Sequence, residues 1–116
     1  RGRIVSYDVV GGRYPERDFY AVGSGAPFAR GSLKKLHNPN LDAEGAVIVL
    51  LQALVDAADD DSATAGPAAV RRLYPVVYTA DADGVRRWSD TEVEALASRV
   101  LEARRRRPDG PEAPQL

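Results

Sequence analysis

The chain has 116 residues, with 16 Lys+Arg against 17 Asp+Glu, a formal net charge of −1, 44% hydrophobic and 28% charged residues, which allows one globular domain at most. The balanced charge offers no field to draw nucleic acid or an anionic membrane, and no apolar run is long enough to span a bilayer. With no Cys and no Met there is no disulfide framework, thiolate metal site or cysteine nucleophile, and a reducing cytoplasm fits. The sequence opens on Arg1 without a signal-like apolar core, so a piece of something larger is expected.

Residues 3–10 alternate, placing Val5, Tyr7 and Val9 on one face and Ser6 and Asp8 on the other, the period of a half-buried strand. Gly11-Gly12 breaks the run. After the polar residues 13–17, the stretch 19–22 (Phe-Tyr-Ala-Val) is apolar enough to pair back as the second strand of a hairpin. It leads into Gly23-Ser24-Gly25, and from Pro27 the apolar residues Ala29, Leu33 and Leu36 recur at helical spacing. His37-Asn38-Pro39-Asn40 ends that helix. His37, the only imidazole, lacks a second His or Cys for a metal site and reads as a surface residue.

A longer helix spans residues 42–58, apolar over most of its circumference, so it is expected to be buried between layers. Residues 59–67 close it. Residues 73–79 read as a buried strand with Pro75 at an early or edge position, and the turn 81–84 leads into a partner at 85–88. Ser89-Asp90-Thr91-Glu92 is a capping-box pattern with Trp88 and Val93 placed as its hydrophobic staple. The last helix follows, with a stripe of Val93, Leu96, Ala97, Val100 and Leu101, and with Arg104 to Arg107 suited to the negative end of its dipole. Residues 108–116 are expected to form a disordered tail. The order strand, strand, helix, helix, strand, strand, helix sets helices beside an antiparallel sheet, an α+β class.

Two segments could carry chemistry. Glycines flanking Ser24 permit unusual backbone angles and close approach to its hydroxyl, although a glycine-bracketed turn tolerating any small residue accounts for the same pattern. Asp59-Asp60-Asp61 at the C-terminal end of the long helix face the negative pole of its dipole. Either this is a solvated, self-capping loop, or Asp61 holds a cationic partner while Ser62 and Thr64 supply hydroxyl hydrogen bonds.

Ala21-Val22-Gly23-Ser24-Gly25 with its following helix, and residues 59–66 after the long one, resemble the proteasome β subunit, most closely the actinobacterial type. The resemblance runs from residue 1 to about 104 and includes Tyr7-Asp8, Phe28-Ala29 and residues 81–84. It implies a partial αββα four-layer sandwich of the N-terminal nucleophile hydrolase type, with residues 1–107 the C-terminal portion of one β-subunit domain. In that family a threonine at the start of the mature chain attacks the peptide carbonyl and its own amine serves as base. The nucleophile would lie in a part of the chain not present here, and this segment alone would be inactive.

Carried over residue by residue, Ser24 matches the serine whose hydroxyl contacts the nucleophile's amine, Asp61 the aspartate that orients that network, and Thr64 a nearby serine position. Ala65 departs from the family's usual second glycine. The resemblance further implies a threonine endopeptidase without cofactor or metal, in the cytoplasm. Its partners would be α subunits and other β subunits in stacked heptameric rings, and its substrates unfolded proteins delivered by an ATPase ring. A non-catalytic scaffold subunit and a free-standing α+β interaction module are the alternatives. In the assembly, a basic face with Arg30, Lys34 and Lys35 would meet acids, with Asp56 and Asp59 to Asp61 as the candidates.

Overall fold

In the computed structural model, residues 2–60 and 75–111 are described. Strands β1 (Ile4–Tyr7) and β2 (Arg13–Glu16) form an antiparallel hairpin in the register Ile4↔Glu16 to Tyr7↔Arg13. The second strand is therefore the polar stretch and not residues 19–22. The cause lies in the loop. Asp8 Oδ1 accepts from the amides of Val10 (3.1 Å) and Gly12 (2.6 Å), while the Tyr14 hydroxyl donates to Asp8 Oδ2 (2.8 Å). Gly11 takes a positive φ of 91°, which a side chain would resist. So tight a closure brings Arg13 opposite Tyr7 at once, and polar residues occupy the ladder whatever their strand propensity. Asp18, with φ of 29°, then turns the chain out of the hairpin, and Phe19 and Ala21 pack on helices instead.

Helix α1 (Ala26–Leu36) starts with Pro27 in its first turn and ends at His37, whose amide donates to the Leu33 carbonyl (2.8 Å). Helix α2 (Ala43–Asp60) is capped by Asp42, whose Oδ1 accepts from the Gly45 amide at 2.7 Å. One face of α2 packs Ala53 and Ala57 on Ala29 and Leu33 of α1. Another packs Val47, Leu51 and Val55 into the main core with Val77, Trp88, Val93, Leu96, Ala97 and Val100. Burial all round does not follow, since Leu50 and Leu54 keep 46% and 40% of their surface exposed. They form a third apolar stripe beside the two packed ones.

Strands β3 (Tyr78–Asp81) and β4 (Gly84–Arg87) make a second antiparallel hairpin around Ala82-Asp83. Its first strand begins at Tyr78, later than the sequence reading; residues 75–77 lie outside it and 73–74 outside the described residues. Pro75 has no amide to donate, and the ladder is extended only by the Trp88 amide donating to the Val77 carbonyl (2.9 Å). Helix α3 (Asp90–Arg106) opens with the expected capping box: the Glu92 amide donates to Ser89 Oγ (3.1 Å) and the Ser89 amide to Glu92 Oε1 (2.9 Å). Trp88 and Val93 share the main core, as a staple requires. Residues 108–111, read from the sequence as the start of the tail, fold back on the helix end: the Gly110 amide donates to the Arg107 carbonyl (3.0 Å) and Arg107 Nε to the Gly110 carbonyl (2.8 Å).

Candidate functional site

The turn at Ser24 is built by its glycines. Gly23 has φ of 105°, in the region that favours glycine, and the Ala26 amide donates to its carbonyl (3.1 Å). Gly25, not Ser24, is the N-cap of α1; its carbonyl accepts from the Phe28 and Ala29 amides (both 3.1 Å), and no side chain caps the helix. The Ser24 hydroxyl is thus not spent on starting the helix. Ser24 is exposed and makes no hydrogen bond among the described residues. It stands at the positive end of α1, whose first turn holds no acid.

Ser24 borders a mostly apolar cleft of about 490 Å³, walled by Leu50, Leu54 and Ala57 of α2 and by Val76 and Tyr78. This brings the glycine turn against the last turns of α2. Asp61, Thr64 and Ala65 lie outside the described residues.

Several side chains do what the sequence did not disclose. Arg30 belongs to no free basic face: Nη2 donates to the Ala21 carbonyl (2.8 Å) and the guanidinium lies 4.7 Å from the Tyr20 ring centroid, pinning residues 20–21 to α1. His37 is half-buried with its ring 5.5 Å from that of Phe19. Asp56 accepts from Arg104 Nη1 at 2.7 Å, so it is already paired within the chain and not awaiting Lys34 or Lys35, which are both exposed. Helical spacing marks which face a residue occupies but not which residue of a distant helix will meet it. These partners therefore left no local signal.

Among the described residues, two carboxylates are lowered from their ordinary values. Asp8 is lowered chiefly by the Tyr14 hydroxyl and then by the Gly12 amide, and Glu92 chiefly by the Ser89 amide, with Arg86 adding to it. Arg86 pairs with Glu92 and lies over the Trp88 ring, 4.5 Å from its centroid. Both acids organise turns and neither borders the Ser24 cleft. Among the described residues no helix is long and apolar enough to cross a membrane.

Helices beside small antiparallel hairpins, with a glycine-bracketed serine at the entry to α1, are part of an α+β fold of the N-terminal nucleophile hydrolase type, the fold of the family that residues 1–71 match. That family is the proteasome subunit family, and this chain belongs to it. It is 55% identical over 113 residues to proteasome subunit beta 2 of Thermomonospora curvata, covering 97% of this chain and 40% of that protein. Over 112 residues it is 53% identical to proteasome subunit beta 1 of Streptomyces avermitilis and 54% to proteasome subunit beta of Acidothermus cellulolyticus, each match covering 97% of this chain and 39% of the relative. The chain thus spans about two fifths of the length of these curated relatives.

Proposed function

We propose that this chain is the C-terminal portion of a proteasome β subunit, a threonine endopeptidase acting on unfolded proteins, and that it contributes Ser24, Asp61 and Thr64 to a site completed by a threonine elsewhere in the subunit. The observation that supports this reading is an uncommitted Ser24 hydroxyl beside a cleft that Leu54 and Ala57, near the end of α2, also border. Identity to three β subunits over nearly the whole chain supports the family half of the reading.

The chemistry follows from an amine that must act as a base. A free α-amine titrates near neutrality, at roughly 8 when unperturbed. An ammonium beside Ser24 would face the positive end of α1, which favours its neutral form, while the serine oxygen offers an acceptor that orients the N–H. A carboxylate at Asp61 opposes the first effect and holds the protonated form between proton transfers. Hydroxyl and carboxylate together set the proton affinity that the attack on a peptide carbonyl needs. In this reading the subunit sits in stacked rings with α subunits and further β subunits in the cytoplasm, supplied with unfolded chains by an ATPase ring.

The test is Asp61→Asn in the full-length subunit, which keeps the side chain's shape and removes its charge. Peptide hydrolysis by the assembled particle should fall at least about tenfold in kcat, with ring assembly by native mass measurement unchanged. Assembly with the parent's turnover would reduce Asp61 to a loop residue and end the catalytic reading.

A further inference from the structure

We propose that Arg30 is a positioning residue for Ser24: it ties the chain entering the glycine turn back to the helix that leaves it, and so fixes where the serine hydroxyl stands beside the cleft. The inference rests on the functional reading of Ser24 above. What carries it is a closed loop in which Ser24 lies between two fastenings, both made to α1.

The first fastening is the turn itself, where the Ala26 amide donates to the Gly23 carbonyl and the Gly25 carbonyl accepts from Phe28 and Ala29 (all 3.1 Å). The second comes from one turn further along the helix. Arg30 Nη2 donates to the Ala21 carbonyl at 2.8 Å, nine residues back in the chain, and the guanidinium lies 4.7 Å from the centroid of the Tyr20 ring. A flat cation that stacks on one residue and donates to the next holds the peptide between them in orientation as well as in place. Among the described residues this is the only hydrogen bond made by the backbone of residues 19–22, a stretch that joins neither hairpin.

Glycine makes the second fastening necessary. Gly23 sits at φ of 105°, and nothing stands within 4 Å of where its Cβ would be. A residue that permits the turn also permits other angles, and Val22 beside it is exposed. With Ala21 held, the swing at Gly23 is closed at both ends; with Ala21 loose, Ser24 follows whatever angle Gly23 takes. Residues 20–26 form one continuous wall of the cleft, and Arg30 is not part of that wall, so it shapes the site without touching what the site would bind. Arg30 also belongs to neither apolar cluster, whereas Ala21 packs against the one between α1 and α2. Losing the guanidinium therefore leaves that packing in place and frees the orientation of the peptide. A displacement of about 1 Å at a reacting group can cost on the order of a hundredfold in rate, and here the loss is bounded by what the Ser24 hydroxyl contributes.

The experiment is a double-mutant cycle in the full-length subunit, assembled into particles and assayed with a fluorogenic peptide. Ser24→Ala should lower kcat at least about tenfold. Arg30→Met should lower it about fivefold with KM within about twofold, the particle mass being unchanged in both. Arg30→Lys, which keeps a cationic donor without the flat fork, should recover part of the loss. The double variant should be no slower than Ser24→Ala alone, because an arginine that acts through the hydroxyl has nothing to position once the hydroxyl is gone. A double variant slower than Ser24→Ala by the full Arg30→Met factor would show an effect that bypasses Ser24 and overturn the proposal. Parental kcat in Arg30→Met beside a loss in Ser24→Ala would overturn it as well. Should Arg30→Met fail to assemble, Arg30→Gln, whose amide falls short of the guanidinium's reach, takes its place in the cycle; failure of both beside an intact Ser24→Ala particle would make Arg30 a folding residue and end the proposal. Parental kcat in Ser24→Ala would instead overturn the functional reading on which the inference rests.

Discussion

The α2–α3 region and the N-terminal hairpin both carry large apolar residues, yet only one of them encloses its own surface. Between α2, α3 and the second hairpin, Val47, Leu51, Trp88, Val93 and Val100 meet one another. In the first hairpin Tyr7, Val9, Val10 and Tyr14 are exposed, and Val22 beyond it is exposed as well. Isolated two-stranded ribbons are marginal without a third strand or a packed face. The difference teaches that apolar pattern reports the need for burial, whereas the element that supplies it has to be found elsewhere.

Truncating each region separately sharpens this contrast. Leu51 is 2% exposed in the main core, and Leu51→Ala in the full-length unassembled subunit should cost about 3 kcal/mol in urea unfolding. Val10→Ser at the bare hairpin tip should stay within about 0.5 kcal/mol. Equal losses would show that the hairpin tip is packed in the subunit and that the contrast is wrong.

A smaller effect probes the start of α3, which closes the enclosed region. Ser89→Ala removes the side-chain acceptor for the Glu92 amide and should destabilise by about 1 kcal/mol, with the loss of amide protection confined to the first turn of α3 in hydrogen exchange. A protection loss spread through the first hairpin would break the separation of the two regions.

The smallest effect is one of pH. Glu92 titrates lower in the folded chain than in the unfolded one, chiefly through the Ser89 amide. The unfolded state therefore takes up its proton first, so the stabilisation is fully present above the unfolded value and is lost as pH falls through the folded one. Glu92→Gln should flatten that acid limb of the stability curve. An unchanged limb would assign it to other carboxylates, Asp8 in the first hairpin among them, since its carboxyl is lowered by Tyr14 and the loop amides.

The same contrast governs how much was legible in the sequence. Ser89 and Glu92, Pro27 and the stripe of α3 act through neighbours within a few residues, so spacing alone located them. Residues 19–22 were read as a strand because they have strand composition, but pairing is decided by loop closure at Asp8 and by Arg30, which holds the Ala21 carbonyl. The apolar circumference of the long helix predicts a burial that Leu50 and Leu54 do not reach, because helical periodicity registers hydrophobicity and not the presence of a partner. In the candidate site, flanking glycines mark Ser24 as a turn residue. That it shares a cleft with Leu54 and Ala57 of α2 is not legible in the sequence, because those residues lie far from it in the chain. Arg104 was read as a dipole-end residue for the same reason, its acceptors at Gln52 and Asp56 lying on another helix.

The claim at the centre is that Ser24 serves a nucleophile's amine. It is tested most directly by the rate at which the assembled particle is covalently captured by a peptide electrophile, measured for the parent and for Ser24→Ala. Because the glycines build the turn and Ser24 caps no helix, the substitution should leave the fold and particle mass unchanged. It should slow capture at least about tenfold. Capture of the intact Ser24→Ala particle at the parent's rate would contradict the claim and leave Gly23-Ser24-Gly25 as a turn into α1 and nothing more.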